Sequence, residues 1–221
     1  MQPELTRALA AALALAWLAA APLAQGQRPP GADDLARRLQ ARYETIRDFT
    51  ADFTQTTRSA LLPQTSVDRG SVKMRKPGLM RWDYVEPEKK IAGSDGTDFY
   101  IYVVADRVVT FTALPAPGEE STALLFLAGR GNLATDYLAH LPAEQPPGEW
   151  HLALTPRRAQ GDYAHAILMV ERPSLRLLGL ETVDDQGGRS TIRFSRYREN
   201  VGLRASDFTF TRPRGVEVIR R

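Results

Sequence analysis

The feature that most constrains the fold of this chain is an alternation of apolar and polar residues with a period of two. It begins in the run Phe49–Phe53, where phenylalanine and alanine alternate with threonine and aspartate. A β-strand produces this spacing because its successive side chains point to opposite faces. Similar runs are separated by turn residues at Pro77-Gly78, Asp95-Gly96 and Gln186-Gly187-Gly188. The sequence therefore predicts a series of antiparallel hairpins.

The strand-like runs recur at intervals of roughly ten residues, with little helical pattern between them. After the first strand, we predict strands at 67–76, 79–85, 90–94, 97–104, 107–114, 135–141, 149–155, 164–172, 175–184, 190–198 and 208–212. About ten strands are more than one flat layer usually holds. We therefore predict a mainly β fold with some α (α+β), whose sheet of about ten or eleven strands curls toward a barrel.

Two segments have a helical pattern. Asp33 or Asp34 is predicted to cap a helix that continues to about Ile46, and 121–128 is predicted to form a short apolar helix that ends near Gly129. The first helix has one apolar stripe, formed by Leu35, Leu39, Tyr43 and Ile46. A stripe of this kind indicates a helix packed on the sheet.

Residues 1–26 have the pattern of a secretory signal peptide. Arg7 precedes the apolar run 8–18, and Ala24-Gln25-Gly26 places small residues where a signal peptidase cleaves. We predict cleavage after Gly26, which leaves 27–221 as a single domain; an uncleaved membrane anchor is the alternative. The chain ends soon after Val218, so we expect no longer C-terminal extension.

The absence of cysteine bounds the behaviour of an exported protein. The fold must stand on its apolar core without disulfides, and no cysteine is present to accept a lipid anchor. We therefore expect a soluble protein of the exported compartment. The net charge of +3 is too small and too dispersed to indicate nucleic-acid binding.

Catalytic patterns are weak throughout the sequence. His140, His151 and His165 have no metal-ligand spacing, and the turn that contains Ser94 lacks the order of a nucleophile elbow. We predict neither an enzyme nor a cofactor or metal site. A basic group at Lys73, Arg75, Lys76 and Arg81 has two open interpretations: a contact for phosphate groups or acidic partners, or a solvated strand face.

Several motifs occur together in a recognisable order. Phe49–Gln55 reads Phe-x-Ala-x-Phe-x-Gln, and Lys76–Trp82 reads Lys-Pro-Gly-Leu-Met-Arg-Trp. Ser94-Asp95-Gly96 follows, and the chain closes with Phe208-Thr-Phe-Thr-Arg-Pro before Gly215. With the signal peptide and the first helix, this order resembles the periplasmic outer-membrane lipoprotein carrier proteins, the LolA family, over essentially the whole mature chain.

The resemblance implies a half-open antiparallel β-barrel with short helices as a lid over an apolar cavity. It also implies a monomeric periplasmic carrier that accepts acylated lipoproteins from an inner-membrane lipoprotein-releasing ABC complex and passes them to an outer-membrane lipoprotein receptor. Three alternatives remain: that receptor itself, which needs a lipidated cysteine; an envelope lipid-binding sensor or regulator on the same fold; and a periplasmic hydrolase.

The residues expected to line the cavity are apolar side chains on one sheet face and on the second helix: Phe53, Met80, Trp82, Phe99, Ile101, Leu124, Leu125 and Leu127. Ordinary core packing would produce the same alternation, so both interpretations stay open. Lys76 and Arg75 are expected at the rim. Lys76 takes the position where the family has an arginine that hydrogen-bonds to the lid, and a lysine offers a point charge in place of a planar fork.

Overall fold

A computed structural model describes residues 30–114, 126–158 and 163–221. These ranges contain helix α1 (Ala32–Glu44), the one-turn helix α2 (Leu133–Asp136), the 3₁₀ turn Ala205–Phe208 and one twelve-stranded sheet. The strands are β1 (Asp48–Arg58), β2 (Thr65–Arg75), β3 (Leu79–Glu86), β4 (Lys90–Asp95), β5 (Asp98–Val103), β6 (Val108–Ala113), β7 (Tyr137–His140), β8 (Glu149–Pro156), β9 (His165–Glu171), β10 (Leu177–Val183), β11 (Arg189–Glu199) and β12 (Glu217–Arg220). The predicted signal peptide lies outside the described residues.

The sheet consists of two antiparallel meanders that share one ladder. Its strand order is β12-β6-β5-β4-β3-β2-β1-β11-β10-β9-β8-β7. Strand β1 joins the meanders by pairing with β11, with Phe53 opposite Phe194, and β12 is parallel to β6. Within the described residues the sheet ends at β7 and β12 and is not closed. The predicted mainly β, half-open antiparallel fold with short helices is therefore confirmed.

The sequence was misleading at the C-terminus. Residues 208–212 were predicted as a strand, but Phe208 ends the 3₁₀ turn and the next residues are irregular. The alternating phenylalanines Phe208 and Phe210 arise because the segment packs against aromatic side chains of the sheet. The last strand is instead β12, whose four mostly exposed residues give little period-two signal. The sheet has twelve strands in the described residues, close to the predicted number of about ten or eleven.

Helix α1 covers part of the concave face of the sheet. Its buried residues, Leu35, Ala36, Leu39 and Tyr43, belong to the main core. The predicted aspartate cap is wrong. The N-cap residue is Gly31, which has no side chain to accept a hydrogen bond from the first turn. Asp33 and Asp34 lie in the first turn instead, where the positive end of the helix dipole favours negative charge.

The two faces of β5 belong to two different apolar clusters. Phe99 packs against the main core on the concave face, whereas Tyr100 and Tyr102 belong to a second cluster. That cluster is completed by Val216 and Phe210 of the C-terminal segment. The C-terminal segment therefore covers the convex face of the sheet at β5 and β6, and the concave face belongs to the main core.

Gly70 allows aromatic rings to cross β2 on the concave face. A Cβ atom built at this position would lie 2.1 Å from the carbonyl oxygen of Asp83 and 2.9 Å from two ring carbons of Phe53. The Phe53 ring in turn meets the rings of Trp82 and Tyr84, each with centroids 4.9 Å away. The position therefore requires glycine because β3 and the aromatic cluster occupy the space of a side chain.

We predict that Gly70→Ala lowers the free energy of unfolding by about 1–3 kcal/mol, because an added methyl group overpacks this contact. Urea denaturation followed by tryptophan fluorescence would measure the change. Ser71→Ala is the matched control on the opposite face of the same strand and should stay within about 0.5 kcal/mol of the parent. Equal unfolding midpoints for the two variants would contradict this explanation.

Candidate functional site

A cleft of about 320 Å³ lies between the two meanders on the concave side of the sheet. One wall comes from β3–β5 and the other from β10 and β11. The lining residues are Gln55, Trp82, Tyr84, Lys90, Ala92, Phe99, Ile101, Leu180, Thr182, Ser190 and Ile192. Strands β3 and β10 are separated by three others in the sheet, so only a strongly curled sheet brings these walls together.

The apolar wall is accessible from outside. Ile101 is 41% exposed although it points to the concave face beside Phe99. Across the cleft lie Leu180 and Ile192, which are 3% and 6% exposed. An apolar surface that the protein does not cover with its own side chains favours the binding of an apolar ligand.

Polar side chains form a hydrogen-bonded network that joins the two walls of the cleft across β1. The Tyr84 hydroxyl donates to Gln55 Oε1 at 3.1 Å, and Gln55 Nε2 donates to Ser190 Oγ at 3.0 Å. Lys90 Nζ donates to Asp68 Oδ1 at 3.1 Å and lies 4.2 Å from the centroid of the Tyr84 ring. Burial raises the pKa of Tyr84 to about 12, so this hydroxyl stays protonated as a donor. The cleft can thus accept a ligand with an apolar tail and a polar end.

The polar network marks the end at which the cleft opens. Gln55, Lys90 and Ser190 lie near the strand ends that adjoin the connections 59–64, 87–89 and 184–188. The tip of the first connection carries Leu61 and Leu62, which are 75% and 60% exposed. We call this end the mouth.

The end opposite the mouth is filled. Phe53, Met80 and Leu127 are 2%, 1% and 0% exposed and belong to the packed core. Of the residues predicted to line a cavity, Trp82, Phe99 and Ile101 border the cleft, whereas these three lie in the core that continues beneath it. Leu124 and Leu125 are outside the described residues.

Lys76 connects the β2–β3 turn to α1. Its Nζ donates to the carbonyl oxygen of Tyr43 and lies 3.5 Å from the centroid of the Tyr43 ring. The Tyr43 hydroxyl donates to the carbonyl oxygen of Leu127, and its ring stacks on Phe126 with centroids 4.8 Å apart. We call this set of contacts the Lys76 latch, since it holds α1, the 126–129 turn and the sheet together.

Gly129 completes the latch. It has φ +78°, and an added Cβ would lie 2.5 Å from Cγ of Lys76; its N–H donates to the Phe126 carbonyl at 2.8 Å. This left-handed conformation is the one expected of a glycine that ends a helix, but residues 121–125 of the predicted helix 121–128 lie outside the described residues. Arg75, which was also predicted at the rim, precedes Lys76 and alternates to the convex face, where it forms no ion pair with any described residue.

The second wall of the cleft was missed by sequence reasoning. Leu180 and Ile192 follow Trp82 by about a hundred residues in the chain, and the distance along the sequence gives no indication that they face it. Their period-two pattern predicted strands and burial. Only the pairing of β1 with β11 determines which earlier residues they meet.

Other chemical groups in the described ranges form no further centre. No three histidine, aspartate or glutamate side chains there are placed to hold a metal ion, and no helix there is long and apolar enough to cross a membrane. His151 Nε2 lies 2.9 Å from Glu149 Oε2. Glu149 also accepts from Arg193 at 2.6 Å, and these contacts lower the pKa of its carboxyl to about 2.

The Lys76 latch should make stability depend on pH. Burial lowers the pKa of Lys76 from 10.5 to about 8, against a smaller opposing effect of Glu44. Between these values the unfolded chain binds more protons at this site than the folded chain, so the free energy of unfolding should rise as pH rises from about 8 to 10.5. Lys76→Met should lose this contribution. Urea denaturation at pH 7.5 and 9.5 measures it, and parallel pH profiles for the parent and the variant would refute the assignment.

Comparison with known proteins agrees with this geometry. A family described as outer membrane lipoprotein carrier protein LolA matches residues 44–211. The outer-membrane lipoprotein carrier protein of Chromobacterium violaceum is 30% identical over 203 residues, which cover 91% of this chain and 95% of the relative. That of Chromohalobacter salexigens is 30% identical over 214 residues, with 97% and 98% covered.

A solved structure shares the fold. An uncharacterized conserved protein from Thermus thermophilus superposes with a TM-score of 0.54 at 16% identity, over 84% of this chain and 99% of that protein. The sequence matches extend over most of the chain and include the strands that form both walls of the cleft. The chain therefore belongs to the outer-membrane lipoprotein carrier family, LolA.

Proposed function

We propose that this protein is a periplasmic carrier that shelters the acyl chains of lipoproteins in the cleft between its two meanders. It accepts the lipoprotein from an inner-membrane releasing complex driven by ATP and delivers it to an outer-membrane receptor. The observation that carries the proposal is the exposed apolar wall around Ile101, in a sheet whose other alternating apolar positions are mostly packed. Family membership supports the same role.

The physical need for a carrier follows from the ligand. A triacylated anchor has roughly 45 methylene groups, and transfer of each to water costs about 0.8 kcal/mol. Exposure of the whole anchor would therefore cost tens of kcal/mol, which prevents unassisted passage through an aqueous compartment. A protein that carries it must offer apolar surface that is not already used in its own core.

The small size of the cleft supports the proposal that the carrier has a closed form, which this structure represents, and an open form. Its volume of about 320 Å³ is at the small end of the range of roughly 300–1,000 Å³ for sites that hold one drug-sized ligand. A three-chain anchor needs more room. We infer that the 126–129 turn and α1 move away from the sheet during loading, which requires release of the Lys76 latch.

The direction of transfer then follows from affinity. In this scheme energy enters when the lipoprotein is extracted from the inner membrane, and the receptor takes the acyl chains because it binds them more tightly than the carrier does. The carrier must therefore bind well enough to prevent aggregation but less tightly than its receptor. The apolar walls of the cleft support the first of these conditions.

The sharpest test uses Ile101→Glu with Val67→Glu as its control. Both positions are valine or isoleucine on a strand, and they are 41% and 38% exposed, but Val67 lies on the convex face. A charge beside the acyl chains removes an apolar contact worth about 1.5–3 kcal/mol, so Ile101→Glu should weaken binding at least tenfold while Val67→Glu does not. Trp82 is less suitable because it is 2% exposed, and a buried carboxylate would threaten folding.

Binding is measured by co-purification of acylated lipoprotein with each variant and by displacement of a fluorescent fatty-acyl probe. Circular dichroism and thermal midpoints establish that both variants are folded. Equal retention of lipoprotein by folded Ile101→Glu and by Val67→Glu would refute the cleft as the acyl site.

A further inference from the structure

The convex face carries a recessed basic surface that the acyl cleft does not use. A groove of about 620 Å³ runs over β2, β1 and β11 and is lined by Thr50, Ala51, Asp52, Ser71, Val72, Lys73, Arg196, Tyr197 and Arg198. A second depression of about 400 Å³ shares Asp52, Ser71 and Arg196 with it and continues to Arg69. We call the two together the convex groove.

The charge of the convex groove is predominantly positive. Lys73 and Arg198 flank Thr50 on the two neighbouring strands, and neither forms an ion pair with a described residue. Arg196 pairs with Asp52 and remains 84% exposed, and Arg69 pairs with Glu86 at 2.9 Å. The end formed by Lys73 and Arg198 is thus not neutralised by the described part of the protein.

One cross-strand pair in this surface is unfavourable for folding. Lys73 lies directly opposite Arg81 in the antiparallel β2–β3 ladder, and like charges at opposed positions destabilise a sheet. Arg81 is held by Asp83, with Nη2 2.8 Å from Oδ1, but Lys73 has no such compensation. A cation in this place is better explained by an anionic ligand than by the stability of the sheet.

The backbone of β11 is also irregular at the groove. The register of the β1–β11 ladder shifts between Thr50 and Asp52, and Arg196 has φ +50°, which is uncommon for a residue other than glycine. Bulges of this kind redirect side chains and often occur beside binding sites. Here the bulge brings Arg196 and Arg198 to the same groove.

We propose that the convex groove binds an extended acidic segment of a partner protein. The groove follows β1 from Thr50 to Thr54, and four residues of extended chain span about 13 Å. Carboxylates of an extended peptide can reach the unpaired cations, and the hydroxyls of Thr50 and Ser71 can contact its backbone. A narrow recess fits a polypeptide better than the plane of a membrane.

A partner bound at the convex groove leaves the acyl cleft accessible. The groove and the acyl cleft are on opposite faces of the sheet, so a partner held by the groove does not cover the mouth. The proposal does not depend on what the cleft carries. Its consequence is that the docking and the transfer of cargo use separate surfaces.

The test measures the affinity of a fluorescein-labelled peptide that contains six consecutive glutamates, by anisotropy at 50 mM salt. Lys73→Glu/Arg198→Glu is compared with Arg38→Glu/Lys89→Glu, which makes the same change in net charge at exposed positions outside the groove. We expect the groove variant to raise Kd at least tenfold and the control to change it less than threefold. The thermal midpoint of Lys73→Glu should be unchanged or higher, because a glutamate opposite Arg81 removes the repulsion.

Two results would overturn the proposal. Equal loss of affinity in the groove variant and the control would mean that binding follows net charge alone. The second measurement is sedimentation with vesicles that contain about 30% anionic phospholipid. If the groove variant alone loses binding to these vesicles while its affinity for the peptide is unchanged, the surface binds a membrane instead. If the double glutamate variant does not fold, Lys73→Met/Arg198→Met gives the same comparison without charge reversal.

Discussion

The ladder between β1 and β11 is the interaction on which the rest of the structure depends. It pairs residues near position 50 with residues near position 195, and each of the other antiparallel pairings joins strands that are consecutive in the chain. Without it, two separate meanders would remain, each with one apolar face open to water. Because strands twist and coil as they are added to a sheet, a single ladder in the middle is enough to turn both apolar faces toward each other. The core and the cleft are two results of the same curl.

The division of the concave face into core and cleft reflects how far the helices extend. Near the β2–β3 turn, Leu39 and Tyr43 of α1 and Leu127 fill the space between the walls. Near the mouth no described helix covers Trp82 and Ile101, and the walls remain separated. Apolar side chains that border an open cleft make fewer dispersion contacts than side chains in a close-packed core, so the walls of the cleft are less stabilised than the core beneath the helices. The hydrogen-bonded network of Gln55, Tyr84 and Ser190 limits that difference.

The alternation of residues predicted the strands and their faces well, because period two is a local property of the chain. It placed Trp82, Phe99 and Ile101 on the face that borders the cleft. It could not separate them from Phe53 and Met80, which have the same alternation but lie under the helices, because helix position is set by tertiary packing. Leu180 and Ile192 could not be assigned to the cleft for a related reason. The pairing of strands that are far apart in the chain cannot be read from the pattern of neighbouring residues. The segment that begins at Phe208 was wrongly predicted as a strand, because its alternating phenylalanines pack against the second aromatic cluster and give the same period of two as a strand.

Opposing effects act on the charge of Lys76. The cation lies at the C-terminal end of α1, where the helix dipole favours positive charge, and over the Tyr43 ring, which adds a cation–π attraction. Removal of the ammonium group from water opposes both, as the lowered pKa of Lys76 indicates. An arginine could donate several hydrogen bonds from a rigid fork, whereas this lysine bonds one carbonyl through a flexible stem. The link from Lys76 to α1 therefore rests on one hydrogen bond and one cation–π contact, and under the proposed function it is the contact that must be released before a large apolar cargo is loaded.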